Sequence, residues 1–514
     1  MHNLQQTGGI AGRRIARYAF SLNLVLLLTS LGLAACGSGS TSPAVSIEPS
    51  GPSPFISIVH LDGYDPSTLA SVQYTIAPKP GSASRPVHVQ YSMAALGARG
   101  YLSNGSLAVP VFGLYAGYAN QVLMTLTTVD GAQIPLAITI PTEYYVDPTG
   151  IYTKPTIVMP RAAGSQLGFD FIYVRSGLGS PVIIDTDGEI RWVAPGVSNS
   201  ISSTLVGDTF VIGDPTQPTV YRLRLDGNLT SGPLPPSGYI DFNHDIERGK
   251  IGLLAEVDAA ANGTENFESN VIELRDPSSD SIVIPHRWDL GAILTAYMTS
   301  QGDDAAAFVR PGVDWFHSNS AIYDPSDDSV IVSSRENFVI KLDYRTGAIK
   351  WILGDPTKYW YTFPSLRAKA LTLAPGGLYP VGQHGLSITP DGLLMLFNDG
   401  LGSLNEPAGA PPGITRTYSA VSAYSIDPTA MTAQEVWRYD AGQSIFSPFC
   451  SSAYETADRS LLVDYAIADD ESEALIVGLD SNHEVVFELG YPTSGCATSW
   501  NARPMALDDL MIER

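Results

Sequence analysis

Phe338–Leu353, FVIKLDYRTGAIKWIL, is the stretch whose reading decides the fold. An apolar run ends at Asp343, a Thr-Gly turn reverses the chain, and a second apolar run carries Trp351. That is the signature of a tight antiparallel pair. The same rhythm occurs at Ser180–Val193 (SPVIIDTDGEIRWV) and Asn270–Leu290 (NVIELRDPSSDSIVIPHRWDL). It returns at Ser422–Asp440 (SAYSIDPTAMTAQEVWRYD) and Leu475–Gly490 (LIVGLDSNHEVVFELG), with a weaker copy at Thr219–Leu234. Trp192, Trp288, Trp351, Trp437 and Phe487 fall in equivalent places. Copies are preceded by another strand pair, such as Ser320–Ser334 or Gly385–Asn398. A recurring four-strand unit marks a β-propeller blade, which buries both faces only by stacking on neighbours around an axis. The spacing predicts an all-β chain, with a six-bladed propeller over 151–514. A seventh blade would have to hide in the irregular inserts 291–313 or 354–380. Helical periodicity is scarce, and Ser365–Ala374 is its best short candidate.

Upstream, residues 53–150 contain short, β-branched, partly alternating runs separated by Gly, Pro and Asn, which predicts an N-terminal β-sandwich. Residues 36–52 are polar and small and read as a flexible tether. Residues 1–35 read as a leader: Arg13, Arg14 and Arg17 precede a short apolar run that ends in small residues. Leu33-Ala34-Ala35-Cys36 resembles the bacterial lipobox, which implies lipidation of Cys36 after cleavage, export, and anchoring at the periplasmic or outer face of a cell envelope. The other reading is an ordinary signal peptide with an incidental cysteine. Cys450 and Cys496 remain, and in an oxidising compartment such a pair reads as a disulfide.

The chain has 514 residues, 44% of them apolar and 16% charged, which suits a core-forming protein. Its net charge of −23 becomes −26 without the leader's three arginines, and this disfavours nucleic acid as a partner. An anionic substrate would therefore need local positive charge in its site.

Of eight histidines, His244, His317 and His384 each sit just before the first strand of a blade, 73 and 67 residues apart. Innermost strands line a propeller's axis, so three successive blades would aim imidazoles at one channel. Counted from Pro325 and Pro390, His384 is level with Asn319, which places the rings at two depths. Arg335 directly follows a strand, one hairpin on from His317, and Arg503 is a further channel candidate. Taken singly, a histidine at a blade entrance is more often a satisfied turn residue. Three histidines can hold zinc, but Arg335 would repel a cation. An anion pocket accounts for His, Arg and Asn together, because all can donate hydrogen bonds and the guanidinium fork matches a tetrahedral oxyanion. No metal and no cofactor is expected.

The combination of NHD at His244, DWFHSNSAIYD with His317 and Asn319, SSRENFVIKLD…KWILGDP with Arg335, and GQHGLSI with His384 resembles the bacterial arylsulfate sulfotransferases that use no nucleotide sulfate donor. The resemblance implies a six-bladed propeller behind a β-sandwich, export, and a homodimer. It implies sulfuryl transfer from a phenolic sulfate ester to a phenolic acceptor by a ping-pong route through a sulfo-histidine. It makes His384 the nucleophile and gives sulfate binding and charge stabilisation to His244, His317, Asn319 and Arg335. Which histidine acts as acid and base stays open, as do the natural donor and acceptor. The competing readings are a lipid-anchored propeller that only binds a partner, a quinone-dependent dehydrogenase, and a metal-dependent lyase.

Overall fold

The computed structural model describes residues 44–48, 51–103, 106–236, 238–261, 264–275 and 282–513. The leader and Cys36 lie outside the described residues.

The acid of each repeat explains the turns. Asp343 accepts the backbone N–H of Thr346 at 2.8 Å and its hydroxyl at 2.6 Å, and Gly347 supplies the φ of 69° that the reversal needs. Asp185 does the same for the N–H groups of Asp187 and Glu189, and Asp480 for those of Asn482 and Glu484. A short carboxylate that satisfies the turn's own donors replaces the backbone partners that the reversal removes.

Six sheets built on four antiparallel strands follow one another from residue 171 onward. Their innermost strands are Asn501–Met505, Ser203–Val206, Tyr239–Arg248, Ser318–Asp324, His384–Ile388 and Ser452–Glu455. The first sheet takes its inner strand from near the C-terminus, with Tyr173 opposite Arg503. Thr156–Met159, from the start of this region, adds to the outer edge of the last sheet beside Val485–Pro492. The ring is thus closed by main-chain hydrogen bonds at both ends of the region. Central strands such as Val182–Asp185 and Ser329–Ser334 are buried throughout. They lie between two neighbouring sheets, which is why their sequences read as continuous apolar runs. Trp192, Trp288 and Trp351 are buried on the outer strands.

The inserts that would have hidden a seventh blade are helical. Leu290–Ser300 is an α-helix capped by Asp289, whose carboxylate accepts the Ala292 N–H at 2.9 Å. Leu290, Leu294 and Met298 bury one stripe against Trp315, Phe338 and Trp360. In Ser365–Ala374 only one turn is helical, at Pro364–Arg367, and Thr372–Leu373 joins the fifth sheet.

The N-terminal region consists of one four-stranded and one five-stranded sheet. Its core of Val59, Leu61, Val72, Tyr74, Val89 and Val109 runs on into Phe171, Trp192 and Phe210 of the propeller. Two boundaries move. Ala44–Glu48, expected within the tether, is a strand paired with Ile58–Asp62. Leu510–Ile512, expected within the propeller, pairs in parallel with Val89–Tyr91 of the sandwich. In both cases an edge strand with free hydrogen-bonding groups captured a terminal segment too short to announce itself by pattern.

Candidate active site

Each of the three histidines sits where its inner strand breaks register. In Tyr239–Arg248 the pairing jumps from Phe242 to Ile246, which pushes Asn243, His244 and Asp245 out of the ladder. In Ser318–Asp324 it jumps across Asn319, and His317 just before it has a φ of 53°. In His384–Ile388 it jumps from His384 to Ser387. Bulges of this kind re-aim side chains. Gly385 occupies the last of them with a φ of 57°, and a Cβ there would lie 3.1 Å from the Ser452 backbone. The glycine is what lets His384 face the axis.

The result is convergence. One nitrogen of each of His244, His317 and His384 lies within 4.8 Å of the others. The His244 and His317 rings meet edge to face at 4.9 Å. Arg335 is brought in by its own backbone, whose N–H donates to the His317 carbonyl at 2.9 Å. Its guanidinium is 2% exposed and binds Glu336 through Nη1, while Nε and Nη2 have no partner among the described residues. A buried donor pair left open is costly unless something else is meant to fill it. Asn319 donates to the Gln383 carbonyl at 2.8 Å, so its amide group holds the chain entering His384.

The rings carry different charges. Burial pushes His244 down to about 4. Burial also pushes His384 well below its ordinary range, reinforced by the positive charge of its neighbours. For His317, burial is outweighed by Glu268 and Asp314, whose oxygens each lie 2.6 Å from Nδ1, and the ring is raised to about 10. Two neutral imidazoles therefore face one imidazolium. The tautomer of His384 follows from its partners: Nδ1 lies 3.0 Å from the Gly382 carbonyl and 2.8 Å from Asp399. A carbonyl only accepts, so Nδ1 carries the proton and Nε2 the lone pair.

Around this centre lie residues that the sequence reading did not single out. Phe449 stacks over the Arg335 guanidinium at 4.8 Å, and Trp500 lies 5.2 Å from His244. Each is close to a half-cystine, and the Cys450–Cys496 disulfide joins their two loops. The loop at 400–415 seats itself on Glu336, which accepts the N–H groups of Leu404 and Asn405. Asp399 follows the strand Leu394–Asn398, one hairpin on from His384. That is the register that pointed to Arg335, and it was there to be read. Asp314 stands three residues before His317 in a motif already noted for its other members. Glu268 comes from a neighbouring strand and leaves no sequence signal.

Arg503 is placed elsewhere. It pairs with Glu247, donates to the Tyr454 hydroxyl at 2.7 Å, and lines a cavity of about 540 Å³ with Tyr173 and Leu386. Those residues lie further along the inner strands, towards the opposite mouth. Asp245 also turns from the histidines, to Arg175.

Fold and site together define a propeller enzyme that handles a small oxyanion. The family described as Arylsulfotransferase (ASST) matches residues 160–501, and the Arylsulfotransferase Ig-like domain matches 44–143. The chain is 24% identical to the arylsulfate sulfotransferase AssT of Escherichia coli O6:H1, over 93% of this chain and 92% of that one. It is also 24% identical to the AssT of Lelliottia amnigena, over 92% and 91%. The chain belongs to the arylsulfotransferase family, and its activity is transfer of the sulfuryl group of aryl sulfates.

Proposed function

We propose that the transfer runs in two displacements through a sulfated His384. The observation that carries this is the committed Nδ1 of His384, which leaves a neutral ring with its Nε2 lone pair available beside an unfilled guanidinium. In the first displacement Nε2 forms a bond to sulfur as the bond from sulfur to the aryl oxygen breaks. The electron pair leaves on that oxygen, which takes the proton of His317. A phenol titrates near 10, so an imidazolium in the same range is matched to it. In the second displacement an acceptor phenol returns its proton to His317 and takes the sulfuryl group from Nε2, which gives ping-pong kinetics. Nε and Nη2 of Arg335 bind the peripheral oxygens, where charge spreads in the transition state as in phosphoryl transfer. Phe449 and Trp500 offer faces for the aryl ring.

The test is incubation with an aryl sulfate and no acceptor, followed by mass spectrometry. One added sulfuryl group on the His384 peptide is expected. An unmodified peptide in an enzyme that still transfers would replace the two-step route by direct transfer. The convergence of three imidazoles also supports a metal reading, in which they would coordinate a zinc-like ion. Transfer that survives exhaustive chelation rejects that reading, and transfer lost and then restored by one metal establishes it. Export and lipid anchoring through Cys36 belong to the same proposal, supported by the leader pattern. A Cys36→Ser variant released from the membrane fraction is the expected result. A homodimer, supported by the family resemblance, is tested by sedimentation.

A further inference from the structure

The carboxylate under His384 has no place in the displacement as written, yet it is fixed with care. Asp399 is fully buried, and its Oδ2 lies 2.8 Å from His384 Nδ1. Neither of its side-chain oxygens has a hydrogen-bond partner among the described residues; Nδ1 of His384 is directed at the Gly382 carbonyl, so the approach of Oδ2 is an ion-pair contact. Its main chain is tied on both sides: its carbonyl accepts the Ser419 hydroxyl at 2.8 Å, and the next N–H, of Gly400, donates to Val381 at 2.9 Å. Val381 and Gly382 lead directly into His384, so acid and ring are held by one knot of backbone. Gly382 completes it with a φ of 67°, since a Cβ there would meet the Leu401 carbonyl at 2.7 Å. Burial raises this carboxyl well above its ordinary range, against the pull of Arg335, Arg416 and, more weakly, His317.

We propose that Asp399 is a positioning residue for the transfer: its buried carboxyl, 2.8 Å from Nδ1 of His384, answers the positive charge that the ring gains when Nε2 takes the sulfuryl group. This rests on His384 being the sulfated residue. When the bond from Nε2 to sulfur forms, the Nδ1 proton stays in place and the imidazole becomes an imidazolium bearing SO3⁻. The positive ring and Asp399 Oδ2, 2.8 Å apart in a buried site, then attract each other more strongly than when the ring was neutral. The contact is therefore worth more after the ring is sulfated than before. That difference lowers the barrier rather than merely tightening the ground state.

The experiment compares wild type, Asp399→Asn, Asp399→Ala and Asp399→Glu by rapid-quench mass spectrometry of the His384 peptide, with steady-state kinetics alongside. Losing a group that orients a working histidine costs about 10- to 100-fold. A fall of that size in the sulfation rate of the Asn and Ala variants is expected, with KM changed less than about threefold and part of the rate restored by Glu. Sulfation as fast as wild type in both variants overturns the proposal while leaving the sulfo-histidine intact. Absence of label in wild type overturns both together. Should the variants fail to fold, the Asp399 carboxyl band of wild type, read by difference infrared spectroscopy as His384 is sulfated, decides: a shift upholds the proposal, and an unchanged band refutes it.

Discussion

Removing the two acids that flank His317 tests the assignment of the proton donor. Glu268 and Asp314 both approach its Nδ1 at 2.6 Å and raise the ring to about 10 against the pull of burial. At pH 8 such a ring is about 99% protonated. In the double variant Glu268→Gln/Asp314→Asn only burial remains, so the ring titrates at or below its ordinary value of 6.5. At pH 8 it would then be at most about 3% protonated. A donor whose phenol is a poor leaving group should be cleaved about 30-fold more slowly at that pH. A nitrophenyl ester should be nearly unaffected, because its phenolate leaves without a proton. As pH falls through the variant ring's lowered value the ring recharges, and the deficit should narrow. The assay is burst-phase release of phenol across pH 5–10 with both donors. A deficit equal for both donors would refute the role given to His317. Stability should move in step: a raised folded-state value means that the pairing stabilises fully below pH 6.5 and loses its contribution as pH rises through about 10.

Arg335→Ala should lower kcat by about 10²- to 10³-fold, the usual loss for one oxyanion donor, and Arg335→Lys should recover little because a point charge cannot reproduce the fork. Steady-state kinetics with one aryl sulfate checks both. Gly385→Ala should cost about 1–3 kcal/mol, because its φ of 57° disfavours a side chain and the Ser452 backbone blocks the Cβ. It should also slow sulfation of His384, and thermal melting with peptide labelling separates the two effects. Cys450→Ser removes a link that closes 46 residues, worth about 4 kcal/mol by chain entropy, and it frees the loops that carry Phe449 and Trp500. A lower melting point with a raised KM for the aryl donor is the expected pair of results.

Much of the site was legible because a repeat protein prints its geometry in its spacing. Once Trp192, Trp288 and Trp351 marked equivalent outer strands, the positions before the inner strands could be aligned, and His244, His317 and His384 followed. Arg335 followed from the strand that ends at Ser334. Glu268 did not, because it reaches His317 across two sheets. The sequence reading set Arg503 beside the other candidates as a further channel residue, but a residue name carries no height along a strand. Its place at the opposite mouth depends on how far Asn501–Met505 slides along Phe171–Arg175.

What the sequence determined by itself was the alternation of strand and acidic turn, the ring it builds, and the residue types able to grip an oxyanion. These are local properties: turn chemistry and strand pattern act within a few residues. What only the tertiary structure decided was the charge of each ring. His317 is raised and His384 lowered because burial pushes both rings down and only at His317 do Glu268 and Asp314 outweigh it, while burial also raises the Asp399 carboxyl beside His384. Protonation is set by desolvation and by charges brought from other sheets, and neither quantity exists until the chain has closed on itself.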